Sequence, residues 1–247
     1  MTGRNSFFSS IPMVTKNLLI INVLMWIATI VLGRQDIDLI EWLGLHFWRA
    51  SDFNAAQLVT YMFMHDNTTF THLFFNMFSL WMFGVTLERV LGAKRYLFFY
   101  LACGLGAALV QELVWEVTWK DMFIPLIANQ NNLTFAEVEQ LMNNGQLGGV
   151  IGQFWDMLVT VGASGAVFGI LLAFGMIFPN LPMYIIPFPF PIKAKWMVIG
   201  YGAIELFFGV TGSMDNVAHF AHLGGMLFAF IIIYVWKKKG LIGNGLF

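Results

Sequence analysis

Apolar residues run along this chain in six long blocks, separated by polar or Gly- and Pro-containing breaks. The blocks cover about 17–33, 71–88, 96–115, 158–178, 195–210 and 217–236. Each approaches the roughly 20 mostly apolar residues that a bilayer-spanning helix needs. The pattern therefore predicts six spans and an all-α polytopic membrane protein. Two connections are long. The first, 34–70, carries Trp42, Phe47, Trp48 and Phe53, which suits a segment lying at the membrane interface. The second, 116–157, contains LTFAEVEQLMNNG, in which Thr134 and Glu137 have capping-box spacing. Phe135, Val138, Leu141 and Met142 repeat there at helical intervals, and Gly145 closes the pattern. A short amphipathic helix is expected there, outside or on the membrane, in an extracytoplasmic insertion between spans three and four. The connection 178–193 holds Pro179, Pro182, Pro187, Pro189 and Pro191 and is not helical throughout. No internal repeat is visible, which counts against the commonest transporter architectures. One membrane domain, 1–247, accounts for the chain.

Composition agrees with this pattern. The chain is 58% hydrophobic and 11% charged, whereas soluble domains carry roughly 25% charged residues. A net charge of −1 gives no basic footprint, so no nucleic-acid partner is expected. The single cysteine, Cys103, excludes an intramolecular disulfide. The opening MTGRNSFFSSIPMVTK is interrupted by Ser and Pro and is not read as a signal peptide. Of the 13 Lys and Arg residues, only Arg34, Arg49 and Lys120 fall on one side of the six spans. The others (Arg4, Lys16, Arg89, Lys94, Arg95, Lys193, Lys195, Lys237, Lys238 and Lys239) fall on the opposite side. The positive-inside rule then puts both termini in the cytoplasm and the two long connections outside.

Polar side chains inside spans are costly and tend to face the bundle interior with a task. Here they are His72, Asn76, Glu112, Ser164, Glu205, His219 and His222. Spans two, four and six all enter from outside. His72 and Asn76 lie in the outer turns of span two. Ser164 lies about six residues into span four, ~9 Å at 1.5 Å per residue, and His222 about five residues into span six. Three spans thus bring His72, Asn76, Ser164 and His222 to one depth. A serine needs a base to become a nucleophile, and imidazole serves near neutral pH. Ser164 sits in GASG, whose Gly162 and Gly165 leave room for a scissile bond and for close helix approach. Gly225 and Ala229 form a small-xxx-small pair on span six, suited to the same approach. Asn76, His72 and the backbone N–H of Ser164 are candidate donors to an oxyanion. The bland readings are a packing serine and interfacial histidines. Glu205 is open between a catalytic or gating acid and an acceptor for a neighbouring span. His219 is open between shaping the mouth and bonding a loop. His219 and His222 could ligate a metal, but no Cys or second carboxylate cluster accompanies them, so no metal or other cofactor is expected.

Four motifs, HLFFN (His72 to Asn76), GVTLERVLG (Gly84 to Gly92), GASG (Gly162 to Gly165) and AHLGG (Ala221 to Gly225), occur in this order. With their places in a six-helix core, they resemble the rhomboid family of intramembrane serine proteases over nearly the whole chain. The resemblance implies a rhomboid-like six-helix bundle with Ser164 as nucleophile and His222 as general base. It assigns the oxyanion to His72, Asn76 and the Ser164 backbone. It gives Glu88 and Gly92 a structural role, and implies a Ser–His dyad with no third carboxylate. Phe168 stands where some members have Tyr and is expected to stack on the imidazole. The family's Trp-Arg pair in the first outer connection is not at its apparent place, which Ala56 and Gln57 occupy; Trp48–Arg49 lies further upstream. That departure bears on loop stability rather than chemistry.

The expected activity is endoproteolysis in or near transmembrane segments of membrane proteins. The active site would open to the extracytoplasmic side, and a bacterial inner membrane is the expected location. The segment 209–216 is a candidate cap, and Phe207 and Phe208 on span five a candidate lateral gate. Two rivals differ in class. A silent rhomboid-like scaffold would lack the Ser or the His. A transporter using His72, His219, His222 and Glu205 would line a path across the membrane instead of clustering at one depth.

Overall fold

The computed structural model describes residues 10–184, 190–211 and 218–242. In chain order the helices are α1 (Met13–Gly33), α2 (Leu39–Leu43), α3 (Gln57–Thr60) and α4 (Phe70–Leu91). There follow α5 (Ala93–Asn131), α6 (Phe135–Asn143), α7 (Gly148–Asp156), α8 (Ser164–Ile177), α9 (Ala194–Thr211) and α10 (His219–Lys238). Two-residue strands β1 (Leu45–His46) and β2 (Val159–Thr160) pair antiparallel, as do β3 (Pro182–Met183) and β4 (Ile192–Lys193). Among the described residues, α1, α4, α5 and α10 are long and apolar enough to cross a membrane. The remaining two expected spans correspond to α8, of 14 residues, and α9, of 18.

Side chains that water would reject face outward on these helices, as a lipid-facing surface requires. Ile20, Leu24, Ile27 and Val31 of α1 and Phe74, Phe75 and Phe78 of α4 are exposed. Polar donors inside α1 bond locally: Asn22 donates to the Leu18 carbonyl (2.8 Å) and Thr29 to that of Met25 (2.9 Å). Where α1 begins, the buried Glu88 accepts from the backbone N–H groups of Val14 (2.9 Å) and Thr15 (2.7 Å) and from the Thr15 hydroxyl (2.7 Å). The carboxylate thereby satisfies the orphan donors that begin α1. Gly92 adopts φ +76° and breaks α4 from α5.

The centre of the bundle is α8, packed between α5, α9 and α10, with most of its residues buried. Glycines bring the backbones together. A methyl group built on Gly225 of α10 would overlap the carbonyl oxygen of Gly165 on α8. On Gly224 it would lie 2.7 Å from Val110 Cβ on α5, and on Gly169 2.8 Å from Cys103.

Three expectations change. First, span three does not end near residue 115: α5 continues unbroken through Pro125 to Asn131 and stops where Asn132 adopts the left-handed conformation (φ 55°). The first part of the 116–157 segment is therefore helix. Its basis is a stripe of buried Trp115, Trp119, Phe123 and Ile127, four residues apart, which the flanking charges and the proline obscure. Second, Ser164 is not six residues down a helix. It opens α8, because Val159, Thr160 and Val161 favour extended chain and Gly162 sits at φ +131°. Third, the aromatic side chains of 34–70 do not all lie at the surface. Trp42 and Trp48 are exposed, but Phe47 is fully buried among Trp115 and Trp155. The amphipathic helix of the insertion is present as α6, with the Thr134–Glu137 capping box formed and Val138 buried. Phe135, however, points outward. α7 had no counterpart in the hydrophobic pattern.

Candidate active site

The site forms where α8 begins, beside the N-terminal turns of α4 and α10 and the C-terminal turns of α9. Strand β2 pairs with β1 (Leu45 opposite Thr160, His46 opposite Val159), so the connection between α1 and α4 holds the chain entering α8. Tyr61 clamps the same segment. Its carbonyl accepts from the Gly162 N–H (3.0 Å), while its hydroxyl donates to the Gly104 carbonyl on α5 (2.7 Å). Trp48 and Arg49 fasten the connection to α5. The Trp48 backbone donates to Glu112 and its indole to Glu116, both at 2.8 Å, and Arg49 makes a two-pronged ion pair with Glu116. The upstream Trp-Arg pair thus anchors the loop, and Gln57 supports it from within through the Asp52 carbonyl (2.9 Å).

Ser164 Oγ lies 2.7 Å from Nε2 of His222. One turn along α8, the Phe168 ring lies flat on the His222 imidazole, with centroids 4.2 Å apart and planes 7° from parallel. The contact between α8 and α10 at Gly165 and Gly225 sets this separation, since any side chain at Gly225 would push the helices apart. As the first residue of α8, Ser164 has a backbone N–H with no intrahelical acceptor, at the positive end of the helix dipole.

His72 comes to the opposite side of the serine. A methyl on Gly162 would lie 3.0 Å from His72 Nε2 and 3.5 Å from Ser164 Oγ, so Gly162 holds open the space between them. Asn76 is buried one turn deeper and donates one amide hydrogen to the His72 carbonyl (2.9 Å), leaving the other for a ligand. The motifs therefore bring Ser164, His222, Phe168, Gly162, Gly225 and His72 together, with Asn76 adjoining.

Two features were missed or left open. His65, in the loop before α4, is fully buried with its ring 5.1 Å from that of His72. Burial, and then the neighbouring His72, pushes its pKa down to about 3, so it packs as a neutral imidazole. The nearest sequence signal was its spacing of seven residues from His72 across a polar turn. Glu205 of α9, left open above, reaches the site: Oε2 is 2.9 Å from His222 Nδ1 and 2.6 Å from His219 Nδ1. Among the described residues, this trio is a group that could hold a metal. Its separations are nevertheless those of hydrogen bonds, and shorter than the ~3.3 Å between two ligands on a tetrahedral zinc. Of the two gate candidates, Phe208 packs on His219 (centroids 5.7 Å apart), while Phe207 is exposed. The cap segment lies outside the described residues from 212 to 217.

Residues 46–239 match the family model of the Rhomboid domain, and all four motifs fall within that stretch. The chain belongs to the rhomboid family. It is similar to Rhomboid protein 1, mitochondrial, of Saccharomyces cerevisiae, at 25% identity over 167 residues. That match covers 68% of this chain and 38% of the yeast protein. It is also similar to Rhomboid protease AarA of Providencia stuartii, at 28% identity over 177 residues, covering 69% of this chain and 52% of that protein. The chain thus spans about half or less of the length of these relatives. Rhomboid membership and the apolar helices make it an integral membrane protein with an all-α rhomboid bundle.

Proposed function

We propose that the chain is an intramembrane serine endopeptidase that cleaves peptide bonds in or near transmembrane segments. The observation that carries this reading is the 2.7 Å contact between Ser164 Oγ and His222 Nε2, made between two helices of a membrane bundle. A packing serine has no need of an imidazole held by an aromatic stack at hydrogen-bond distance.

In the reaction, Ser164 Oγ attacks the scissile carbonyl carbon while His222 Nε2 takes its proton. The oxyanion is bound by the Ser164 N–H, the free amide hydrogen of Asn76 and His72. Collapse of the tetrahedral species breaks the C–N bond, and His222 returns the proton to the departing amine. Water, activated by the same imidazole, then hydrolyses the acyl-enzyme. A substrate helix hides its peptide bonds in its own hydrogen bonds and must unwind locally, which Gly, Pro or small polar residues near the cut favour. The site opens to the extracytoplasmic side with both termini cytoplasmic, as the Lys and Arg asymmetry indicates, and a bacterial inner membrane is the proposed location. Substrates enter past α9, where Phe207 and Phe208 form the lateral gate.

The test is cleavage of a single-span model substrate in liposomes by the wild type, Ser164→Ala and His222→Ala, together with fluorophosphonate labelling of Ser164. Folded but inactive variants beside an active wild type support the reading. A wild type that neither cleaves nor labels leaves the family's silent-scaffold role.

A further inference from the structure

We propose that Glu205 is a positioning residue that extends the Ser164–His222 pair into a serine–histidine–glutamate triad, with His219 as the second anchor of the carboxylate. The inference rests on the protease reading above and departs from the dyad that the sequence resemblance implies.

Three helices supply the line of contacts: Ser164 from α8, His222 from α10 and Glu205 from α9. The side chains of Glu205, His219 and His222 are nearly buried, at 12%, 8% and 9% exposure. A carboxylate in such surroundings needs donors, and both imidazoles offer Nδ1 to the same oxygen, Oε2. That arrangement fixes chemistry the Phe168 stack leaves open. Stacking sets the plane of the His222 ring but not which ring edge faces the serine. A directional bond from Nδ1–H to Glu205 does, and it leaves the Nε2 lone pair on Ser164 Oγ, as a general base requires. When the imidazole takes the serine proton, the carboxylate at 2.9 Å faces the new positive charge. His219, one turn toward the mouth, holds Glu205 from the other side.

The test compares the full chain with Glu205→Gln, which keeps the shape and removes the charge, and Glu205→Asp, which keeps the charge. The readouts are cleavage of the model substrate and fluorophosphonate labelling. In Glu205→Gln, kcat is expected to fall about 100-fold or more with KM little changed, and labelling to slow in parallel. Glu205→Asp should recover about tenfold of that loss. The other groups facing His222 (His72 from α4, Ser164 from α8 and His219 on its own helix) are unaltered in the variant. A kcat within about threefold of wild type overturns the proposal. So does equal loss in both variants with raised KM and lowered thermal stability, the mark of a mere brace. Activity lost to a chelator and restored by zinc would make the trio a metal site and also overturn it. A wild type that labels at the same rate as Glu205→Gln removes only the role of Glu205. A wild type that neither labels nor cleaves removes the protease reading, and the proposal with it.

Discussion

Gly225→Ala offers the sharpest test of how the bundle makes its proposed active site. The added methyl would overlap the Gly165 carbonyl oxygen, 2.7 Å from its carbonyl carbon and 3.3 Å from its Cα. Both partners are helix backbone, so no side chain can turn away. Ordinary carbon contacts begin near 3.4 Å, and α8 and α10 must part by roughly 1 Å or more. Ser164 adjoins Gly165, and His222 is one turn before Gly225, so their 2.7 Å separation should stretch to about 4 Å, past hydrogen-bond range. A misplacement of this size costs on the order of 100-fold in rate. The assay is cleavage of the single-span substrate, paired with a thermal melt in detergent to show that the variant is folded. Gly200→Ala serves as control, since a methyl there meets nothing within 4 Å. A folded Gly225→Ala variant that cuts within about threefold of wild type would refute the claim that backbone contact sets the Ser–His distance.

Other perturbations probe separate links. Gly162→Ala places a methyl between His72 and Ser164 and strains a φ of +131°; kcat should drop about 100-fold in the cleavage assay. Glu88→Ala leaves three donors at the start of α1 unpaired; denaturant unfolding should show a loss of about 2–4 kcal/mol, with the folded fraction still active. The His65 imidazole has its pKa lowered to about 3 by burial, below the roughly 6.5 of an unfolded chain. The unfolded state therefore binds the extra proton, and stability present above pH 6.5 is lost as pH falls toward 3. The loss is about 2 kcal/mol by pH 5. His65→Phe should flatten that part of the stability–pH curve, and an unchanged slope would count against a neutral buried His65.

The six apolar blocks and the four motifs were legible because each rests on local pattern. A run of some twenty apolar residues has few fates, and a serine between glycines marks close approach whatever surrounds it. Helix ends were less legible, since tertiary burial decides them. In α5 the stripe from Trp115 to Ile127 outweighs Pro125, while in α8 a two-residue pairing with β1 keeps Val159 and Thr160 extended. The Trp48–Arg49 anchor could not be placed either, because its partner Glu116 sits 67 residues away on a stretch read as loop.

Glu205 shows why the site was only partly readable. His72, Ser164 and His222 were matched by depth, because each lies near the start of a span that enters from the same side. Glu205 lies on a helix that runs the other way, and its depth depends on where α9 ends, at Thr211. Depth alone left it either acid or acceptor. Geometry narrows the choice through the number of donors. An acceptor for a neighbouring span needs one, whereas this carboxylate has two imidazole nitrogens on a single oxygen, and one of those rings is the proposed base for Ser164. In a bilayer, a buried charge without partners is expelled or neutralised. Two donors converging on it from α10 are what allow a carboxylate to remain where the imidazole can use it.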